Sequence, residues 1–184
     1  MSTTHAAMGV VLATPVLAVA PELAAPAALA AMAGGVFPDL DVAVLAHRKT
    51  LHFPEHYWLA VLAAFPLAAL DPRPLTVGAA FFALSAAVHS VTDAVGGGLG
   101  ARPWVEDDHR GVYSHCRGRW IRPRRWIRYD GAPEDLVAVA VLSLPGLLLY
   151  GGPVRDLTVA MLAVSAAYTA LRKPLGELAH RYDR

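Results

Sequence analysis

The hydrophobic positions of this chain fall into six long apolar segments, which short clusters of polar residues separate. The segments span residues 6–20, 22–37, 57–70, 75–95, 135–150 and 154–171. None of them alternates apolar and polar residues as a half-buried β-strand would, and no internal repeat of fixed period is visible. The pattern therefore predicts helices, and apolar runs of this length favour helices that cross a membrane.

Helix-breaking residues divide the six segments into three pairs. The breaks are Pro21-Glu22, Asp71-Pro72-Arg73-Pro74 and Gly151-Gly152-Pro153, and such clusters of proline and glycine interrupt helices and form turns. We therefore predict an all-α, polytopic membrane bundle built from about three helical hairpins. A perpendicular crossing needs about 20 apolar residues, and some of the six segments are shorter than this. We therefore expect between four and six membrane segments. An interpretation of residues 6–37 as one broken span gives five.

Composition supports a membrane protein with one domain. The 184 residues are 55% hydrophobic and 17% charged, with a mean hydropathy of +0.41. This length is typical of a single domain, so we expect residues 1–184 to form one membrane-embedded domain. The single cysteine, Cys116, excludes an intramolecular disulfide and a cysteine-rich zinc site. Residues 1–7 lack Lys and Arg, and proline follows Ala18-Val19-Ala20, so we expect this segment to be retained and not cleaved as a signal peptide.

Basic residues are concentrated on one side of the predicted bundle. Two lie in the loop 38–56, eight lie between Arg102 and Arg128, and four lie at the C-terminal end, whereas the opposite turns hold only Arg73 and Arg155. The positive-inside rule assigns such a face to the cytoplasm. We therefore expect a multi-pass protein of the inner or plasma membrane, with its basic face in the cytoplasm.

Residues 97–133 form an arginine- and tryptophan-rich stretch between the second and third hairpins. Within 102–130, aromatic residues interleave with arginines, a mixture that suits the lipid headgroup region. We expect an interfacial loop that contacts membrane lipids, with a protein partner for this basic loop as an alternative. Nucleic-acid binding uses the same residue types, but the membrane explains them, so we expect no specific nucleic-acid partner. The G-x-G-x-x-A sequence at 96–101 follows a predicted helix and indicates a helix stop instead of a dinucleotide site.

Histidines and aspartates gather near segment ends that the three hairpins return to the basic face. His89 and Asp93 are spaced i, i+4, so they share one helix face, and ionisable groups in an apolar segment normally face a bundle interior or a cavity. The full set is His5, Asp39, Asp41, His47, His52, His89 and Asp93. Taken singly, these residues also suit a helix cap or a His–Asp hydrogen bond. Together they predict a divalent metal site, for which zinc or manganese is the expected ion.

The order of these residues resembles that of the YdjM-like family, whose members are assigned as LexA-binding, inner-membrane-associated, metal-dependent hydrolases. The matching residues are His5, Pro38-Asp39-Leu40-Asp41, His47-Arg48, His52, and His89 with Asp93. The resemblance covers residues 5–100, about half of the chain. Lys49, Leu51 and Phe53 stand where the family has Gly, Thr and Ser. A second His-Arg-Gly, at residues 109–111, could replace or supplement the first one. The resemblance implies metal-dependent hydrolysis.

We expect a hydrolase that acts on an ester or phosphoester, including a small or lipid-linked one, through metal-activated water. Asp41 is the predicted proton acceptor, and Arg48 is predicted to hold an anionic substrate. The alternative is a non-enzymatic membrane scaffold or regulatory protein, in which a metal or a His–Asp network fixes helix packing. A transporter is a third class, but its path would need polar groups beyond the one face where they cluster.

Overall fold

The computed structural model describes residues 2–43, 45–100, 102–105 and 108–182, and it is a mostly helical bundle. The α-helices are α1 (Ser2–Ala13), α2 (Val16–Val19), α3 (Pro21–Val36), α4 (Tyr57–Leu70), α5 (Pro74–Thr92), α6 (Pro133–Leu142), α7 (Leu144–Leu148) and α8 (Gly152–Tyr182). Short 3-10 helices cover Phe37–Ala43 and Asp93–Val95. The pairs α1 with α3, α4 with α5, and α6 and α7 with α8 pack together. The predicted all-α bundle is confirmed.

Four helical stretches of the described chain are long and apolar enough to cross a membrane. They are Ser2–Val19, Pro21–Ala43, Pro74–Val95 and Gly152–Arg181. Helix α4 is apolar too, but it is shorter, since Asp71 and Pro72 end it after Leu70. By length and composition this is a multi-pass membrane protein, and four spans fall within the predicted range.

Helices α1, α3 and α5 pack with their backbones in close approach. A Cβ atom on Gly34 would lie 2.2 Å from the carbonyl oxygen of Phe82, and one on Gly35 would lie 2.5 Å from the carbonyl oxygen of His5. Only glycine permits such contacts, and small residues at helix interfaces are typical of membrane bundles. This packing brings the start of α1 and the ends of α3 and α5 together at one end of the bundle.

The helices differ from three of the predicted segments. The segment 6–20 divides into α1 and α2 at Thr14-Pro15. The segment 135–150 divides into α6 and α7 at Ser143, because Pro145 has no backbone N–H and its ring clashes with the carbonyl group four residues earlier. The last helix does not end near residue 171 but continues to Tyr182. Its extension is tied to the long loop by an ion pair of 3.4 Å between Arg102 and Glu177.

The loop 97–133 contains a short antiparallel β-hairpin of β1 (Val112–Ser114) and β2 (Arg119–Ile121), with Val112 opposite Ile121. The sequence did not predict it, since three-residue strands are too short to show an alternating pattern. The backbone N–H of Tyr113 donates to the carbonyl of Arg48 at 2.9 Å, and that of Trp126 donates to the carbonyl of Val95 at 2.9 Å. The loop therefore covers the polar end of the bundle. Its contact with lipid stays a prediction.

Candidate metal centre

Four of the predicted site residues converge at the polar end of the bundle. Asp39 lies in the 3-10 helix after α3, His52 lies in the loop before α4, His89 lies near the end of α5, and Asp93 lies one turn later. One donor atom from each of the four lies within 4.8 Å of the others. The side chains of His52 and His89 are fully buried, that of Asp93 is 4% exposed and that of Asp39 is 14% exposed.

The spacing of these donor atoms fits a metal ion. The Nε2 atom of His52 lies 3.5 Å from Oδ1 of Asp39 and 3.0 Å from Oδ2 of Asp93. The Nε2 atom of His89 lies 3.3 Å and 3.6 Å from the same two oxygens. Metal–ligand bonds of about 2.0–2.2 Å in a tetrahedral site would separate the ligand atoms by about 3.4 Å. The four distances are all within about half an ångström of that value.

Three of the converging atoms lack hydrogen bonds. Within the described part of the chain, Nε2 of His52, Nε2 of His89 and Oδ2 of Asp93 are buried and have no hydrogen-bond partner. Buried polar atoms are nearly always hydrogen-bonded, and one left unpaired costs about 1–3 kcal/mol. Three unpaired donor atoms lie around one point, and a cation bound there would provide each of them with a partner. The donor set therefore fits a divalent ion.

Each histidine of the cluster is held on its other nitrogen. The Nδ1 atom of His89 lies 2.6 Å from the carbonyl oxygen of Gly35. A carbonyl oxygen only accepts hydrogen bonds, so Nδ1 carries the proton and a neutral ring has its Nε2 lone pair facing the cluster. The Nδ1 atom of His52 lies 3.0 Å from Oδ2 of Asp41 in the same way. Such outer partners orient metal-binding histidines.

Asp41 lies behind the cluster instead of within it. Its carboxylate is fully buried and contacts Nδ1 of His52 at 3.0 Å, Nδ1 of His47 at 2.8 Å and the backbone N–H of Leu51 at 3.2 Å. The side chain of His47 is 26% exposed, and it is the most accessible histidine of the predicted set. The structure thus separates Asp41 and His47 from the four converging residues.

His5 adjoins the cluster from α1. Its Nε2 atom lies 3.8 Å from Oδ1 of Asp93, and its ring centroid lies 3.8 Å from that of His89. Its other nitrogen, Nδ1, is buried without a hydrogen-bond partner among the residues that the structure describes. His5 is therefore beside the predicted site, as the hairpin topology predicted.

Arg48 connects the cluster to the long loop. Its Nε atom lies 3.4 Å from Oδ2 of Asp93, and its other nitrogens contact the carbonyl of Gly97 at 2.6 Å and Oδ1 of Asp130 at 3.4 Å. Burial disfavours the guanidinium charge, but the carboxylates of Asp93 and Asp130 outweigh burial and raise the pKa of Arg48 above its ordinary value. The residue has a φ of +57°, a left-handed conformation that costs a non-glycine residue about 1–3 kcal/mol.

Two cavities adjoin the cluster. The larger one, of about 310 Å³, reaches Asp39, and its polar lining includes hydroxyl groups of α1 and α8 such as Ser2 and Ser165. The smaller one, of about 150 Å³, is lined by His47, Arg48, Asp130, Arg172 and the chain at 98–100. His47 and Asp130 line both cavities. The site thus has an accessible side at Asp39 and His47.

Sequence reasoning missed several residues of the site. Asp130, Arg172 and the carbonyl groups of Gly35 and Gly97 carry no local motif, and tertiary packing alone brings them to the site. The second His-Arg-Gly motif does not join the four converging residues. Its neighbour His115 places Nε2 2.8 Å from the carbonyl of Lys49 and 3.1 Å from that of His52.

Comparison of the chain with models of protein families, with curated proteins and with solved structures gave no match. The resemblance to the YdjM-like family therefore stays a prediction from the motifs.

Proposed function

We propose that this protein is a membrane-embedded, metal-dependent hydrolase of an ester or phosphoester. One observation carries the proposal: buried donor atoms of His52, His89 and Asp93, without hydrogen bonds in the described chain, lie at ligand spacing from one another and from Asp39. Nitrogen and carboxylate ligands suit zinc or manganese. Asp39 also lines the larger cavity, so a substrate there would reach the ion.

A bound ion would lower the pKa of a coordinated water from about 15.7 to about 7. We assign proton transfer to His47, because it lines both cavities and Asp41 holds its Nδ1 atom. A histidine with a buried carboxylate behind it is a common general base. The sequence-based assignment of this role to Asp41 stays a prediction, but full burial and three contacts leave that carboxylate little access to a substrate.

The smaller cavity supports an anionic substrate. Arg48 and Arg172 line it together with His47, and guanidinium groups bind phosphate through paired hydrogen bonds. We assign the anion contact to Arg48 and Arg172 together, because both guanidinium groups line this cavity. Arg172 lies on α8 within a candidate membrane span, which favours a lipid or lipid-linked phosphoester.

A non-enzymatic scaffold is the second candidate, and the burial of the ligands favours it. Three of the four side chains are at most 4% exposed, and structural metal sites are closed in this way. The hydrolase is favoured because Asp39 and His47 line cavities that a substrate could enter. These two candidates make different predictions for activity but the same prediction for metal content.

The test is elemental analysis of the purified protein together with hydrolysis of a chromogenic phosphodiester and of phospholipid vesicles. His89→Ala and Asp39→Ala should each lose one equivalent of metal and all activity. His109→Ala, which changes a histidine outside the cluster, is the matched control and should retain both. Absence of stoichiometric metal from the unsubstituted protein would refute the proposal. Metal without hydrolysis of any substrate would favour the scaffold.

We further propose that the site and the basic loop face the cytoplasm from the inner or plasma membrane. The distribution of arginine and lysine supports this orientation. This arrangement requires the shorter α4 and the α6–α7 pair to cross as well, so reporter fusions at Pro72 and at the C-terminus should report opposite sides, with the C-terminus cytoplasmic. A periplasmic or extracellular C-terminus would contradict the orientation.

A further inference from the structure

We propose that Glu55, His56 and Cys116 form a second metal site, separate from the buried centre and suited to zinc. One donor atom from each of the three lies within 4.8 Å of the other two. Glu55 and His56 immediately precede α4, and Cys116 lies in the turn between β1 and β2. The site would join the β-hairpin to the loop that carries His52.

The distance between the sulfur and the imidazole fits this ion. Sγ of Cys116 lies 4.0 Å from Nε2 of His56. Zinc bonds of about 2.3 Å to sulfur and about 2.0–2.1 Å to nitrogen would separate these atoms by about 3.6 Å in a tetrahedral site. A shift of a few tenths of an ångström in an exposed side chain would close the difference.

The carboxylate of Glu55 is the independent observation that points to a ligand. Its Oε1 atom accepts a hydrogen bond from the hydroxyl of Ser114. Its Oε2 atom is buried and has no hydrogen-bond partner in the part of the chain that the structure describes. Ser114 therefore holds one oxygen, as the outer partners of metal ligands do, and the other oxygen is left unpaired.

The backbone around this cluster is held in place by other contacts. His115, next to Cys116, places its Nε2 atom at hydrogen-bonding distance from the carbonyl oxygens of Lys49 and His52, at 2.8 Å and 3.1 Å. The hairpin is thus docked on the 49–56 loop before any ion binds. A metal there would add a second attachment between the hairpin and the segment that carries His52.

The ligand types select the ion. A thiolate, an imidazole and a carboxylate together suit zinc better than they suit magnesium, calcium or manganese. Three protein ligands leave the fourth tetrahedral position to water. Binding requires the thiolate form, so the thiol proton of Cys116 leaves to solvent as the metal–sulfur bond forms. Cys116 and His56 are exposed, so the ion would exchange with the surrounding solution.

Cobalt titration of the metal-free protein tests the site directly. Cys116 is the only cysteine of the chain, so any thiolate-to-cobalt charge-transfer absorption has one origin. We expect this absorption to saturate at two equivalents of Co²⁺, one for each site, and at one equivalent in Asp93→Asn. It should be lost in Cys116→Ser and in His56→Ala. His109→Ala is the matched control and should keep it. Saturating Co²⁺ without this absorption, or equal zinc content in Cys116→Ser and the unsubstituted protein, would overturn the proposal.

The same experiment separates this site from the buried centre. Asp93→Asn should lose the metal of the buried centre and keep the charge-transfer absorption. Cys116→Ser should do the reverse, and it should fold normally, because the side chain is exposed. Loss of the absorption in Asp93→Asn, with an unchanged circular dichroism spectrum, would show that the two clusters are not separate sites and would also overturn the proposal.

Discussion

The imidazole of His52 and the carboxylate of Asp93 place Nε2 and Oδ2 3.0 Å apart, yet neither atom makes a hydrogen bond with any residue that the structure describes. His52 is held from behind through Nδ1 by Asp41, and Oδ2 of Asp93 also lies 3.4 Å from Nε of Arg48. Side chains held in this way keep their unpaired atoms facing one another without an ion. This preorganisation is the property that metal sites need.

Asp41→Asn should lower the metal affinity of the buried centre by about 10- to 100-fold. The substitution keeps the shape of the side chain but removes the charge that orients His52. Affinity is measured by competition with a chromogenic chelator in a Cys116→Ser background, so that only the buried centre is counted. Asp71→Asn, at an exposed carboxylate, is the matched control and should change nothing. Equal affinities would mean that Asp41 does not support the ligand.

His47→Gln should retain the metal and lower kcat by about 10²–10⁴-fold, the range typical of a lost general base. The reason is that His47 lies outside the four converging residues but lines both cavities. Metal content and the pH profile of kcat are measured on the same preparation, with His109→Gln as the control. Loss of the metal in His47→Gln would instead place this histidine among the ligands, as the sequence predicted.

Arg172→Gln should raise KM for a phosphodiester by about tenfold, the loss expected for one charge-assisted hydrogen bond, with little change in kcat. Arg155→Gln is the matched control, since Arg155 lies at the other end of α8. Steady-state kinetics over a range of substrate concentrations separate the two parameters. An unchanged KM would remove the anion contact from the smaller cavity.

Gly34→Ala should destabilise the bundle by about 1–3 kcal/mol, because its Cβ would lie 2.2 Å from the carbonyl oxygen of Phe82. Gly78→Ala is the matched control in the same helix pair. Its Cβ would meet nothing closer than 3.4 Å, and alanine favours a helix over glycine by up to about 1 kcal/mol. Thermal unfolding in detergent should order the proteins with Gly34→Ala lowest, and equal stabilities would contradict the close packing.

Glu134→Gln should lower the melting temperature at neutral pH but not in strong acid. The bidentate hydrogen bonds from Arg128, at 2.8 Å and 2.9 Å, lower the pKa of Glu134 from 4.5 to about 2. A lowered pKa in the folded state means that the pair stabilises fully above about pH 4.5 and stops stabilising as the pH falls through about 2. The difference in melting temperature between the two proteins should be small, since the pair is exposed, and should vanish at the acid end. A difference that grows on acidification would contradict this.

Local patterns in the sequence predicted the helices and most of the site. Apolar runs and their proline and glycine breaks predict helices and turns because these depend on residues close along the chain. The i, i+4 spacing of His89 and Asp93 predicts one shared face for the same reason. The hairpin order then predicts that Asp39 and His52 meet this pair, and the structure brings the four donor atoms together.

Tertiary structure alone decided which residues face the centre and which stand behind it. The close packing of α1, α3 and α5 through glycines sets distances of a few ångströms that no sequence pattern encodes, so Asp41 and Asp39 differ in position although they are two residues apart. The same applies to Arg48, to the β-hairpin over the polar end, and to the meeting of Cys116 with Glu55 and His56. The sequence determined the helices and the supply of ligands, because both follow from local chemistry. The structure decided their arrangement, because it depends on contacts between distant segments.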